Sequence, residues 1–254
     1  MRISAEKRIR MIAERLIRDG YVKDSELAAE FHVSMETVRK DLLLLEERGV
    51  ARKEYGGASL AMTGIEKSLS YRNDYEEYKQ ETARHACRMI SACHSLILDA
   101  GSTCEACISY LNQMPAMDIF TNSLPAVERL DGQRHHVFAL PGRKRERDGS
   151  LIGDWTSRFI DTIHADVCFL GTAGLWNMGG PSSHSYEALA AKRAMVRRSD
   201  IVYVLADSHK FKETGVHTVV PWNDIDGIIT DHHISNDVYA LFAAQTSIYT
   251  ADEN

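Results

Sequence analysis

The sequence predicts an α/β chain in two parts, a small helical head with a short β-ribbon followed by a mostly parallel, doubly wound sheet. Three observations predict it. Over the first sixty residues apolar side chains recur at helical spacing in three short runs. From about residue 81 onward, apolar runs of strand length alternate with longer helical patterns. Between the two parts the periodicity lapses and the composition turns polar.

In the head, Ile9, Ile12 and Leu16 fall at i, i+3 and i+7 and line one face of a first helix, which Gly20 ends. Asp24 and Ser25 are capping residues for a second helix bearing Leu27, Ala28 and Phe31. Ser34 caps a third, which buries Val38, Leu42 and Leu45, leaves Arg39 and Lys40 pointing outward, and stops at Gly49. Strand-like pairs near Val50 to Arg52 and Ala58 to Leu60 flank a Gly56-Gly57 turn. Three short helices, the last two close together, and then a ribbon are the layout of a winged helix-turn-helix over residues 1–60. In that layout the third helix enters the major groove, so duplex DNA is the expected partner and Ser34, Glu36, Thr37, Arg39 and Lys40 are its expected contacts. A cationic pair on an exposed helix is ordinary in itself; the turn before it and the wing after it give it meaning.

Residues 61–80, with Tyr71 to Glu77 almost wholly polar, read as a linker. Beyond it come Leu96–Leu98, Ile119–Phe120, Val137–Leu140, Val167–Leu170, Ile201–Leu205, Ile228–Ile229 and Ile248–Tyr249. Their alternation with helical patterns predicts βαβ units, and a parallel sheet covered on both faces, over residues 81–254. The carboxyl ends of such strands meet at one crevice. There Gly101-Ser102-Thr103 opens a helix whose free N–H groups and hydroxyls suit an anion, with Asn122 and Lys210 on other strand ends closing the site. Asp99 and Asp207 serve either ligand hydroxyls or nearby backbone amides.

Composition and charge narrow the classes. Of 254 residues 44% are hydrophobic and 26% charged, which excludes disorder and collagen-like structure. No stretch approaches the ~18 uncharged apolar residues of a membrane span, and Met1 to Lys7 alternates charge instead of opening a signal peptide, so the cytoplasm is the expected compartment. The net charge of −6 is uneven: residues 1–60 carry 12 Lys+Arg against 11 Asp+Glu, and the remainder 18 against 25. Only the head can face a polyanion. Five cysteines and no export signal predict free thiols. Cys104 and Cys107 form a C-x-x-C with no second ligand pair at metal-site spacing, so they are expected as small buried residues; a thiol-based redox regulator would need them reactive. Asp231-His232-His233 looks like a fragment of a metallohydrolase box but lacks a partner carboxylate motif, and is expected as a loop. Neither a metal, nor a cofactor, nor a catalytic residue is expected.

Taken in order, these motifs resemble those of the DeoR-type bacterial transcription regulators over nearly the whole chain. The head carries the resemblance in Glu26-Leu27-Ala28 through Val33-Ser34, Thr37-Val38-Arg39-Lys40-Asp41-Leu42, Leu45-Glu46, Gly49 and Tyr55-Gly56-Gly57-Ala58. The second part carries it in Asp99 to Thr103, Thr121-Asn122-Ser123, Asp207 to Phe211 and Ile229-Thr230-Asp231. The resemblance implies a sensor domain related in fold to sugar-phosphate isomerases. It implies a regulator, usually a repressor, of a carbohydrate-utilisation operon, acting as a homo-oligomer, dimer or tetramer, whose operator binding is controlled by a phosphorylated sugar or polyol. The effector-binding residues it implies are Asp99, Gly101, Ser102, Thr103, Asn122, Asp207 and Lys210. Two positions depart from the family: Pro141-Gly142 stands where paired glycines are common, removing one amide donor, and Arg39-Lys40 replaces a pair of arginines. The alternative is an isomerase-like enzyme using Asp99, Asp207 and Lys210 for proton transfer, against which the head weighs.

Overall fold

The structure, a computed structural model, describes residues 5–251 apart from Gly20, residues 48–49 and residues 61–74. It divides into two compact units, Met1–Tyr71 and Arg72–Asn254. The glycines expected to end the first and third helices, and most of the expected linker, lie outside the described residues. No helix among the described residues is long and apolar enough to cross a membrane.

In the first unit, α1 (Ala5–Asp19), α2 (Asp24–Phe31) and α3 (Met35–Glu47) enclose Ile12, Leu16, Leu27, Val38 and Leu42, all fully buried, as the apolar spacing requires. The wing is an antiparallel hairpin, and a short strand from before α2 joins it: β1 (Tyr21–Lys23), β2 (Ala51–Glu54) and β3 (Gly57–Leu60) pair in the order β1-β3-β2. The hairpin turns at Tyr55-Gly56, where Gly56 has φ +81°, a conformation that strains any residue with a Cβ. The cap expected at α2 is corrected. Strand β1 runs straight into the helix, so extended Lys23 occupies the cap position without a side-chain bond and Asp24 becomes the first helical residue. Ser34 does cap α3, its Oγ accepting the Thr37 amide at 3.1 Å.

The second unit opens with α4 (Glu76–Met89), so residues 76–80 of the expected linker are helical. The stretch looks polar because Glu76 and Glu77 face solvent. The buried side begins with Lys79 and Thr82 and continues with Ala83, Ala86 and Cys87, so it lacks the large apolar residues that reveal periodicity. In chain order the strands that follow are β4 (Ser95–Leu98), β5 (Asp118–Thr121), β6 (His136–Ala139), β7 (Arg143–Lys144), β8 (Leu151–Ile152), β9 (Ala165–Gly171), β10 (Ser182–Ser183), β11 (Ser199–Leu205), β12 (His217–Thr218), β13 (Gly227–Thr230) and β14 (Ile248–Thr250). The helices among them are α5 (Ser102–Ala106), α6 (Ile108–Leu111), α7 (Leu124–Arg129), α8 (Asp154–Ile160), α9 (Leu189–Arg197) and α10 (Asn236–Ala243).

Seven strands form one sheet, all pairs parallel, in the order β14-β13-β11-β9-β4-β5-β6. Alternate residues serve opposite faces. Leu96, Leu98, Val167 and Phe169 pack beneath α4, α5 and α6, whereas Ile97, Cys168, Leu170 and Val204 pack beneath α8, α9 and α10. The chain leaves β4 in one direction through β5 to β6, then returns to lay β9 on the other side of β4. The strand order therefore reverses between β4 and β9, and the ends of those two strands are where an open parallel sheet forms its ligand crevice. Two small ribbons, β7–β8 and β10–β12, attach near these ends. Each of their strands is two residues long, too short to register as a pattern in the sequence.

Candidate functional site

In the first unit, the outward face of α3 begins at its cap, where Ser34 Oγ also contacts Thr37 Oγ1 at 2.9 Å. Glu36 and Lys40 stand one turn apart, both largely exposed, as an i,i+4 pair at 3.1 Å. Arg39 extends its side chain into solvent, yet its Nε lies 3.4 Å from Oδ2 of buried Asp24, which orients the guanidinium from α2. Beneath this face Arg8 holds Asp41 through two bonds, Nε to Oδ2 at 2.6 Å and a terminal nitrogen to Oδ1 at 3.1 Å, both side chains nearly inaccessible. Asp41 keeps that guanidinium above its usual range. Tyr55, at the tip of the wing, is wholly exposed. The five residues expected to meet DNA thus lie together on the cap and first turns of α3, while Val38 and Leu42 belong to the core.

In the second unit, Gly101 caps α5, and a Cβ built on it would meet nothing within 4 Å. The hydroxyls of Ser102 and Thr103 engage no side-chain partner among the described residues. Asp99 serves nearby backbone amides. It is almost fully buried, with Oδ1 accepting the Ala100 amide at 2.9 Å, Oδ2 accepting the Gly171 amide at 3.0 Å, and Lys192 Nζ paired to Oδ2. Lys192 also donates to the Gly171 carbonyl at 2.8 Å, so this pair stitches the ends of β4 and β9 together at the reversal point. Asn122 is likewise buried: its Oδ1 accepts the Ala100 amide at 2.8 Å and its Nδ2 donates to the Leu151 carbonyl at 3.4 Å. It fixes the turn before the cradle and docks the β7–β8 hairpin.

Asp207 is nearly inaccessible; Oδ1 accepts the His209 amide at 3.2 Å, while Oδ2 finds no donor among the described residues. Burial pushes its carboxyl upward, against the pull of Lys210 and Lys79. Lys210, expected to close the site with its charge, is paired with Glu213 at 2.5 Å. The turn holding both is pressed against the loop after β9, since a Cβ on Gly174 would stand 2.3 Å from the Glu213 backbone.

Sequence reasoning missed Lys192, Arg147 and His184. His184 keeps an exposed edge but protein surrounds the rest of the ring; burial, with Arg147 and Lys210 as neighbouring cations, lowers it to about 4. Lys192 sits on a helix face turned toward the sheet, Arg147 in the turn of the β7–β8 hairpin and His184 just after β10, and none of those places carries a pattern.

Cys104 and Cys107 are free and buried, as expected of small core residues, and burial raises both thiols well above the usual range, which disfavours the reactive thiolate. The loop expected at Asp231-His232-His233 has a partner that the sequence does not announce: Glu81 on α4, whose Oε1 lies 2.5 Å from His232 Nδ1.

Comparison with known proteins agrees with both units. The DeoR-like helix-turn-helix domain matches residues 8–63, and the DeoR C terminal sensor domain matches residues 74–232. A glycerol-3-phosphate regulon repressor from Escherichia coli is 30% identical, covering 87% of this chain and 88% of its own. The HTH-type transcriptional repressor GlcR from Bacillus subtilis is 28% identical over 89% of this chain and 88% of its own, and the regulator GolR from Listeria innocua 29% identical over 85% and 87%. A ribose 5-phosphate isomerase A from Neisseria gonorrhoeae matches 54% of each chain at 14% identity and a TM-score of 0.39, too distant to bear on activity. The winged head and the parallel sensor sheet on one polypeptide are those of the DeoR family, to which this chain belongs.

Proposed function

We propose that this protein is a transcriptional repressor of a carbohydrate-utilisation operon, binding operator DNA as a homo-oligomer through α3 and the wing, and controlled by a phosphorylated sugar or polyol in the second unit. The DNA contacts would be Ser34, Glu36, Thr37, Arg39 and Lys40. The observation that carries the effector reading is the Gly101-Ser102-Thr103 turn at the strand-order reversal, open in front of Gly101, with two hydroxyls that no side chain among the described residues engages. A helix start offers unpaired amides to a phosphate, while Asp207, buried like Asp99, would hold the turn that bears Lys210. Asp99 and Asn122 would hold this cradle in shape rather than touch the effector. The enzyme reading has less support, because Asp99 is buried and already accepts from two backbone amides and Lys192, an arrangement suited to holding the strand ends rather than to proton transfer. That relatives repress a glycerol-3-phosphate regulon agrees with a phosphorylated effector.

The test is a melting-temperature screen of phosphorylated sugars and polyols beside their unphosphorylated counterparts. A ligand of the native state stabilises by about 2.7 kcal/mol at a hundredfold excess over its Kd. Equal shifts from both members of every pair would refute the phosphate cradle.

A further inference from the structure

The segment after β13 brings together three metal-binding side chains from distant parts of the chain. Glu81 lies on α4, while His232 and His233 follow the carboxyl end of β13. One ligand atom from each of Glu81, His232 and His233 lies within 4.8 Å of the other two. Glu81 Oε1 already accepts the His232 backbone amide at 3.1 Å as well as approaching Nδ1, so the carboxylate is fixed on this loop. His233 Nδ1 faces Oδ1 of fully buried Asp231 at 3.1 Å. Asp231 is itself held by the Ser208 amide at 2.6 Å on its other oxygen, and Tyr78 stacks on the His233 ring with centroids 4.0 Å apart. The two imidazoles sit 3.9 Å apart, centroid to centroid.

We propose that Glu81, His232 and His233 form a binding site for a divalent transition-metal ion of the zinc class, with Asp231 positioning His233. The donor set decides the class. Two imidazole nitrogens and one carboxylate suit Zn²⁺, Co²⁺ or Ni²⁺, whereas Mg²⁺ and Ca²⁺ prefer all-oxygen shells. A carboxylate accepting from Nδ1 fixes the tautomer that leaves Nε2 as the ligand, the usual outer-shell arrangement of a metal-binding histidine. Tetrahedral coordination at ordinary bond lengths needs donors ~3.3 Å apart, which side-chain rotations can reach from the present spacing. Three protein ligands leave a fourth position for water or another small molecule. Occupancy ties α4 to the end of β13 and so stabilises the second unit. This site does not depend on the effector reading, and no cysteine contributes to it.

The test uses the full chain without an affinity tag, stripped with a chelator and then titrated with Zn²⁺ by calorimetry and with Co²⁺ by visible absorption. We expect one equivalent per chain, the absorption bands of low-symmetry cobalt, and a higher melting temperature. Glu81→Gln and His232→Gln should each weaken binding at least tenfold, while far-UV dichroism and metal-free melting stay those of the parent. His233→Asn is the second test should either variant fail to fold. Absence of stoichiometric uptake overturns the proposal, and so does uptake of equal affinity in the folded variants, since the metal would then lie elsewhere.

Discussion

Arg39 illustrates how a residue legible in the sequence acquires a second role in the structure. Its exposure was readable from helix spacing, but its neighbour Asp24, fifteen residues earlier, was not. Arg39→Ala would remove the proposed phosphate or base contact and also strip a buried carboxylate of its cation. The informative comparison is therefore Asp24→Asn against Asp24→Asn/Arg39→Ala, measured by anisotropy on operator DNA. If Arg39 meets a base edge, the second change should cost about 1–3 kcal/mol and relax specificity at one position; if it meets a phosphate, the loss is uniform and the salt slope falls by about one. Identical binding by the two proteins would remove Arg39 from the interface. Asp41 lies in the same motif but faces inward. Asp41→Asn leaves the Arg8 guanidinium buried without its counter-charge, for which a cost of about 3–5 kcal/mol is expected. Chemical denaturation of the head checks this, and a loss under 1 kcal/mol would mean that the pair is solvated.

At the scale of elements, the apolar runs expected as strands in the second unit became strands, because the central strands, buried on both faces, must be apolar nearly throughout. Elements that satisfy their burial otherwise stayed hidden: α4 through alanines and a lysine stem, β1 with one buried residue, and the two-residue ribbons through their backbone pairing alone. The candidate site divides in the same way. Gly101-Ser102-Thr103 was legible as a strand-to-helix turn, whereas the Lys192–Asp99 pair that shapes its surroundings joins residues 93 apart in sequence. Thr103→Val removes one cradle hydroxyl at near-constant volume and should weaken effector binding about tenfold without changing effector-free operator affinity; an unaltered response argues against the cradle. His184 offers a test in pH. Its folded value of about 4 lies below the ~6.5 of an unfolded histidine, so between those values the unfolded chain takes up a proton that the native one refuses. The contribution is intact above about pH 6.5 and is lost as pH falls towards 4. Wild type should therefore lose melting temperature relative to His184→Asn across that window in calorimetry, and parallel curves would show that the ring is freely solvated.

For the whole molecule, alternation of strand and helix announces a parallel sheet but not the order of its strands. Order depends on which strand β9 joins after the chain has left β4, a pairing across some seventy residues that no local pattern encodes. That pairing creates the strand-order reversal, so the location of the candidate site follows from topology rather than from any motif. The two units also constrain each other's function. One winged helix reads only a few base pairs, too few to single out an operator, which is the physical ground for the proposed homo-oligomer. If an effector in the second unit controls them, linkage is obligatory: the factor by which effector weakens operator binding must equal the factor by which operator weakens effector binding. Effector Kd measured by calorimetry with and without saturating operator duplex should differ by about 5–150-fold, and the operator affinity measured with and without effector should shift by the same ratio. An effector that binds equally well to free and operator-bound protein would be a ligand without being a regulator, because equal affinity for two states moves no population between them.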